Sequence, residues 1–474
     1  MFGSSSEVVS FIRQHDVEMV DVKFCNLFGG WHHLTMPAAR VDERLLAEGE
    51  GFDGASVPGF TRLERGDMLL VPDIETGFID PFCTAKTLGF LGTVLTTDSR
   101  EPYARDPRGI LRRAEAHLAS LGWATRSSWG PELEFYIFDS ARYENSVNAA
   151  SYSVESEEAA WRSKETTGAG YAVPMGGGYH AAPPLDRLHN LRSEMVGILT
   201  RLGIPVRYHH HEVGGPGQCE IEPAMGPALN LADAVLIIKY VVKMVAVRHG
   251  KTATFMPKPL YGEAGSGLHF HLALYDGDRP VFHRSGGYAD LSPLALSFMA
   301  GVLDHGPSLL GLCTPSTNSY KRLVPGYEAP INLFFSRGNR SAAIRIPDYI
   351  TRPEEKRFEF RPPDATCNPY LAMAAMLLAG IDGVQRKLDP TACGFGPIDE
   401  NVFEWSEEKR ARIRPLPTSL EDALRALADD SAYLTGCGVF PEDLICTWIA
   451  RKRAQLVDVQ RRPHPYEVEL YYAV

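Results

Sequence analysis

Four short segments place two polar side chains on either side of one apolar residue: Glu132-Leu133-Glu134, Glu220-Ile221-Glu222, His269-Phe270-His271 and Glu359-Phe360-Arg361. In an extended strand, residues i and i+2 share a face, so each segment predicts polar groups on one side and an apolar residue on the other. One such pair alone is usually a solvated strand face. Four of them, rich in glutamate that forms strands poorly, need another reason. Carboxylates with a few imidazoles suit hard divalent cations, Mg2+ or Mn2+, better than zinc. His209-His210-His211-Glu212 adds candidates. Adjacent residues point different ways, so one or two of these imidazoles could serve an ion, and partly buried rings at a strand end are an equal reading. Glu212 is the stronger candidate, because Glu220 follows across the turn-forming Gly214-Gly215-Pro216-Gly217.

Two further segments carry the opposite charge. Residues 318–328 combine turn formers with Arg322 and Glu328, and residues 339–347 set Arg340 and Arg345 among small and apolar neighbours. Arginine holds carboxylate or phosphate in a fixed fork. Acids for cations beside arginines for anions predict a phosphoryl-transfer site. The chain has no Gly-x-x-x-x-Gly-Lys-Ser/Thr segment, which excludes P-loop architecture.

The elements that must carry these groups are legible in outline. Strand alternation marks 17–24 and 131–138. Asp106-Pro107 supplies a cap and a first-turn proline to a helix that stops at Gly122, and 186–203 repeats that grammar. Asn230 is placed to cap an apolar helix ending at Gly250, Asn368-Pro369 opens an alanine-rich run to Gly380, and late helices follow Ser419 and Pro441. The first hundred residues are strand-rich, so Asp106 divides a small N-terminal domain, 1–106, from a large catalytic one, 107–474. Residues 141–184, polar and ending in Gly176-Gly177-Gly178, predict a long surface excursion.

Composition narrows the classes. A chain of 474 residues with 44% hydrophobic content can bury more than one core. A formal charge of −11 argues against nucleic acid or an anionic membrane as partner. The eight cysteines form no Cys-x-x-Cys pair and suit reduced thiols rather than a disulfide frame or a zinc knuckle. The apolar stretch 232–247 is interrupted by Lys239 and Lys243 and is too short to span a bilayer, and the start, Met1-Phe2-Gly3, does not read as a signal peptide. The expected location is the cytoplasm.

Phe52-Asp53-Gly54-Ala55-Ser56 resembles the Phe-Asp-Gly-Ser-Ser segment of bacterial type I glutamine synthetases, and Lys251-Thr252-Ala253-Thr254-Phe255-Met256-Pro257-Lys258-Pro259 is similar to a signature of that family. Residues 318–330 and 339–347 match it almost throughout, and the resemblance extends to His464-Pro465-Tyr466-Glu467. It implies an α+β fold: a small N-terminal β-grasp-like domain, then a catalytic domain with a curved antiparallel sheet flanked by helices. It implies ATP-dependent ligation of ammonia to the γ-carboxylate of L-glutamate through γ-glutamyl phosphate, giving glutamine, ADP and phosphate. A γ-glutamyl ligase acting on another amine is the alternative; a non-catalytic relative fits poorly with six filled ligand positions.

Carried over by position, the resemblance implies two or more Mg2+ or Mn2+ ions, one at Glu134, Glu212 and Glu220 and one at Glu132, His269 and Glu359. Arg322, Arg361 and Gly265 would hold glutamate, and Arg340, Arg345 and His271 would meet ATP phosphates and the transferring phosphoryl group, with Arg340 reaching the substrate as well. Asp53 would draw a proton from ammonium in a neighbouring subunit's site, and Glu328 would sit on a flap that excludes water and completes the ammonium site. The implied assembly is a homododecamer of two stacked hexamers with active sites between subunits, the apolar C-terminal run docking across rings. Ala264, Ala273, Met225 and Glu354 depart from the family pattern near substrate and nucleotide, and Phe403 replaces the tyrosine that many relatives adenylylate. Ala264 and the Pro223-Ala224-Met225 segment favour the other-amine alternative, whereas Asp53 suits a small cation.

Overall fold

A computed structural model describes residues 2–164, 170–327 and 329–474. In the N-terminal part, β1 (Met19–Cys25), β2 (Trp31–Pro37), β3 (Glu50–Asp53), β4 (Asp67–Ile79) and β5 (Thr87–Thr96) form one sheet in the order β2-β1-β5-β4-β3, with β1 and β5 parallel. Val20, Val22, Leu70, Leu88 and Phe90 from these strands share a core with Val8 and Ile12 of the helix Ser5–Gln14 and Leu46 of the helix Glu43–Glu48. Those helices start where Ser4 and Asp42 accept the backbone N–H of Glu7 and Leu45. This is the expected β-grasp arrangement.

The second part is built on a larger sheet. Its strands are β6 (Arg126–Phe138), β9 (Val206–His211), β10 (Gln218–Pro223), β13 (Leu268–Asp276), β15 (Asn332–Arg337), β16 (Ala342–Ile346) and β17 (Phe358–Phe360), ordered β15-β16-β17-β13-β6-β10-β9. The short β11 (Gly226–Pro227) and β12 (Thr252–Thr254) also pair with β6, and β14 (Arg279–Pro280) pairs with β13. The pairings are antiparallel except β15 with β16. Leu133, Phe135, Ile221, Leu268, Phe270, Ile344 and Phe360 all enter one core with the helices Pro107–Ser120, Ala228–Arg248, Pro293–Asp304 and Pro369–Gln385. The apolar residue inside each polar pair is therefore what seats the strand on the helix layer.

Helix boundaries differ from the sequence reading in three places. The expected 186–203 helix is His189–Arg201; Asp186 stays outside it and takes the buried guanidinium of Arg192 at 2.5 Å. The apolar helix begins at Ala228, behind Pro227, rather than at Asn230. The run from Pro369 passes through Gly380 to Gln385, because Gly380 is a contact and not a stop: a Cβ there would lie 2.1 Å from the Phe298 ring. The excursion at 141–184 also contains a hairpin, β7 (Ser140–Asn145) and β8 (Ala150–Glu155), with Tyr143 opposite Tyr152.

The two parts are bolted together by buried polar groups. Arg108 donates to Asp73 of β4 at 2.7 Å and to Asp233 at 2.9 and 3.0 Å, and the Tyr370 hydroxyl donates to Asp233 at 2.6 Å. The Asn368 amide donates to the carbonyls of Asn26 and Leu27, both at 3.1 Å, while its oxygen caps the helix Pro369–Gln385. All eight cysteines are free. Among the described residues, no helix is long and apolar enough to cross a membrane.

Candidate active site

Strand register assembles the polar pairs. Glu359 of β17 lies opposite His271 of β13, His269 opposite Glu132 of β6, Glu134 opposite Glu220 of β10, and Glu220 opposite His210 of β9. Directly opposed residues share a face, as do residues two apart on one strand. These side chains therefore form one floor, beneath a cavity of about 770 Å3. Arg322, Arg340, Arg345 and Arg361 line it from the adjoining segments. Between β9 and β10 the chain turns at Gly217, whose φ of +93° is the left-handed conformation that glycine tolerates best.

One end of the floor is tightly paired. His271 Nε2 lies 2.7 Å from Glu132 Oε1, and His269 Nδ1 lies 3.1 Å from Glu132 Oε2 and 3.5 Å from Glu359 Oε1. Glu359 accepts from Arg345 Nη1 at 2.7 Å and from Arg361 Nη1. Burial acts to raise the Glu359 carboxyl, but the Arg361 guanidinium prevails and holds it at about 2. Burial likewise opposes ionisation of Glu132, and His271 with His269 brings it well below the usual carboxylate range.

The other end is not compensated. Burial and the neighbouring carboxylates Glu220 and Glu134 push Glu212 well above its ordinary value, and burial with Glu132, Glu134 and Glu222 does the same to Glu220. Close buried acids lacking a counter-charge, with one imidazole within reach, are the donor set of a hard divalent cation. Among the described residues, three groups have ligand atoms within 4.8 Å of one another: Glu132, His271 and Glu359; His210, Glu212 and Glu220; and Glu132, Glu220 and Glu222. The first takes His271 where the sequence reading had His269, and the second takes His210 where it had Glu134. Glu134 stands beside them, with Oε2 accepting the Gly267 N–H at 2.7 Å and Oε1 lying 3.6 Å from His269 Nε2.

The remaining expected residues fall into distinct places. The Arg322 guanidinium donates to the carbonyls of Pro362 and Arg361 at 2.7 and 3.1 Å and faces His269 Nε2 at 3.1 Å, so it braces the cavity wall. Gly265 lines the cavity where a Cβ would come within 2.6 Å of the Pro257 carbonyl and 2.7 Å of the Arg322 side chain. Arg345 Nε is buried and has no hydrogen-bond partner among the described residues, a donor suited to an anion. Arg340 Nη2 donates to the Tyr179 hydroxyl at 3.4 Å across the cavity mouth. Asp53 is exposed at the end of β3, outside the cavity lining, its carboxylate kept low by the Ser56 hydroxyl and the Ala55 N–H. Glu328 lies outside the described residues.

Sequence reasoning missed one supporting residue, Arg357, and gave a second, Glu222 of the Glu220-Ile221-Glu222 pair, no role of its own. Arg357 Nε donates to His271 Nδ1 at 3.3 Å, which leaves Nε2–H to donate to Glu132. Its signal was available, since Arg357, Glu359 and Arg361 alternate with Phe358 and Phe360. Glu222, 1% exposed, pairs with Arg207 through Oε1, while its Oε2 has no partner among the described residues.

The chain matches the family described as glutamine synthetase, catalytic domain, over residues 104–471, and that described as glutamine synthetase, beta-Grasp domain, over residues 16–97. It is 46% identical over 478 residues to the glutamine synthetase of Mycolicibacterium smegmatis, covering 99% of each chain. It is 45% identical over 480 residues to that of Streptomyces filamentosus, covering 100% of each. Among solved structures it is similar to Plasmodium falciparum glutamine synthetase determined by cryo-electron microscopy, with a TM-score of 0.90 and 29% identity over 99% of each chain.

Proposed function

This chain belongs to the glutamine synthetase family, and from that premise we propose how its own residues divide the reaction. The enzyme ligates ammonia to the γ-carboxylate of glutamate with cleavage of ATP. Glutamate is first phosphorylated on that carboxylate, because a free carboxylate is a poor electrophile, and ammonia then displaces phosphate from the acyl carbon. Arg345, with its unpartnered Nε, and Arg340 hold the phosphates and the transferring phosphoryl group, with His271 fixed beneath them by Arg357 and Glu132. Arg361 and Gly265 hold glutamate against the wall braced by Arg322, with Arg340 reaching over both substrates. Glu134, Glu212 and Glu220 would hold one divalent cation and Glu132, His269 and Glu359 a second, with His210 and His271 close enough to share in ligation. Bound there, Mg2+ or Mn2+ supplies positive charge and Lewis acidity at carboxylate and phosphoryl oxygens. Asp53 of a neighbouring subunit and Glu328 would bind ammonium and take its proton.

We further place the enzyme in the bacterial type I group and in the cytoplasm, supported by the 251–259 segment and the bacterial relatives. We propose a dodecamer of two stacked hexamers, because Asp53 is exposed outside the cavity lining of its own chain and the helix Pro465–Tyr471 exposes Tyr466, Val468 and Leu470.

The observation that carries this reading is the register that sets Glu359, His271, Glu132, Glu134 and Glu220 on one floor. The test is phosphate release from ATP with glutamate, Mg2+ and a panel of amines. Ammonium is expected to stimulate release with matching glutamine formation, above methylamine or ethylamine. Stimulation by an alkylamine in preference to ammonium, or by none, would overturn the proposal.

A further inference from the structure

Lys258 is a fixed post beside the cavity. Its N–H donates to Asn318 Oδ1 at 2.7 Å, its carbonyl accepts from Asn318 Nδ2 at 3.0 Å, and its ammonium donates to the Glu263 carbonyl. The Glu263 carboxylate in turn accepts the N–H groups of Gly176 and Gly215, at 3.1 and 3.2 Å. The cavity rim at 324–327 is the opposite kind of element. It lies in neither helix nor strand, turns at Gly326 with φ of +94°, and lines the cavity through Gly326 and Tyr327. The N–H groups of Gly326 and Tyr327 donate no backbone hydrogen bond to another described residue. A cation–ring contact joins post and rim: Lys258 Nζ lies 3.5 Å from the centroid of the Tyr327 ring. A cation at that distance over a half-buried ring is held by the ring's quadrupole.

We propose that Lys258 and Tyr327 form a latch that pins residues 324–327 over the cavity and so keeps water from γ-glutamyl phosphate. This rests on the reading that the rim guards that intermediate. If the latch opens early, water adds to the acyl carbon, the carbon–oxygen bond to phosphate breaks, and glutamate and phosphate are released. The net change is hydrolysis of ATP to ADP and phosphate, with no glutamine formed. Lys258 and Tyr327 are positioning residues, and neither needs to touch the reacting atoms.

Two readouts separate the latch from the reading beneath it: hydrogen exchange of peptides covering 324–327 in the full-length enzyme with Mg2+ and ADP, and phosphate released per glutamine formed. Lys258→Met and Tyr327→Leu should each speed exchange about fivefold, and the double variant no further, as coupled partners require. Lys258→Arg and Tyr327→Phe, which keep cation and ring, should stay within about twofold in exchange. The phosphate-to-glutamine ratio should rise above one in Lys258→Met and Tyr327→Leu. Tyr327→Leu leaves the Lys258–Glu263 bond in place, so its result is independent of any disturbance around Glu263. Unchanged exchange, or additive effects in the double variant, would overturn the latch itself. Faster exchange with a ratio that stays at one would overturn the shielding role and with it the reading of the rim as a guard.

Discussion

Replacing Glu220 by glutamine should leave the metal-free protein as stable as before or more so, and should remove the stability added by the cation held at Glu134, Glu212 and Glu220. Glu220 is 6% exposed, and its ion-pair partner among the described residues is His210 Nε2 at 3.4 Å. Its ligand atom lies within 4.8 Å of those of Glu132 and Glu222. At an effective permittivity of about 20, two unit charges at that spacing repel by about 3 kcal/mol, and a proton held by the raised carboxyl relieves part of this. Glutamine keeps the volume and removes the charge, so little structural stabilisation is lost. A cation at a hundredfold excess over its dissociation constant adds about 2.7 kcal/mol to the native state. An unfolding entropy of about 2.1 cal/mol/K per residue over 474 residues is about 1 kcal/mol/K, so that gain is about 3 °C in Tm. Scanning calorimetry in chelator and then in excess Mg2+ reads both quantities. Glu220→Gln should retain or exceed the wild-type Tm in chelator, and its gain with Mg2+ should fall short of the wild-type gain by about 3 °C, the share of the one cation that Glu220 ligates. A variant that loses several degrees in chelator yet keeps the full Mg2+ increment would show Glu220 to be a structural partner and refute the cation assignment.

Two other outcomes follow from single contacts. His305 lies between Asp382 at 2.8 Å and Asp430 at 2.7 Å, against the Tyr433 ring; burial acts to lower its pKa, and the two carboxylates more than offset this and raise it above 6.5. The folded state therefore binds that proton more tightly, and the stability it contributes is full below pH 6.5 and lost as pH rises through the folded value. With both partners partly exposed, His305→Gln should cost about 1–2 kcal/mol in acid and progressively less on the alkaline side, and a calorimetric gap independent of pH would contradict the clasp. Mixing Asp53→Ala subunits with Glu134→Ala subunits should restore some activity, because a fraction of shared sites draws both intact residues; no recovery in proven mixed oligomers would mean that each site is built within one chain.

The polar pairs were readable because strand periodicity is local: Leu133, Ile221, Phe270 and Phe360 declare which face is core without knowledge of any neighbour. Which acid meets which imidazole is a matter of register between strands many residues apart, and local pattern does not contain it. Hence local pattern offers His271 as one imidazole among several and the resemblance sets it against nucleotide phosphates, whereas it sits with Glu132 and Glu359; His210 stays open between ligand and partly buried ring until the register is known. Helix ends failed for a related reason. Asp186 has the chemistry of a cap but is spent on Arg192, and Gly380 has the chemistry of a stop but marks where Phe298 crosses closely. Such residues serve partners that the chain reaches only after folding.

The division of labour in the cavity follows the mechanics of its elements. Glu132, Glu134, Glu220, His269, His271 and Glu359 project from strands seated on the helix layer by alternating apolar residues, so their relative positions are set by backbone ladders. Groups that must bring like charges together need that rigidity, because relaxation would let the acids separate. Tyr179, Gly326, Tyr327 and Arg340 come from segments outside strands, where ligands must enter and leave. A rim free enough to admit ATP would also admit water unless something closes it reversibly. The contact suited to that task is weak, directional and independent of the strand ladder, and the Lys258 ammonium beneath the Tyr327 ring has all three properties.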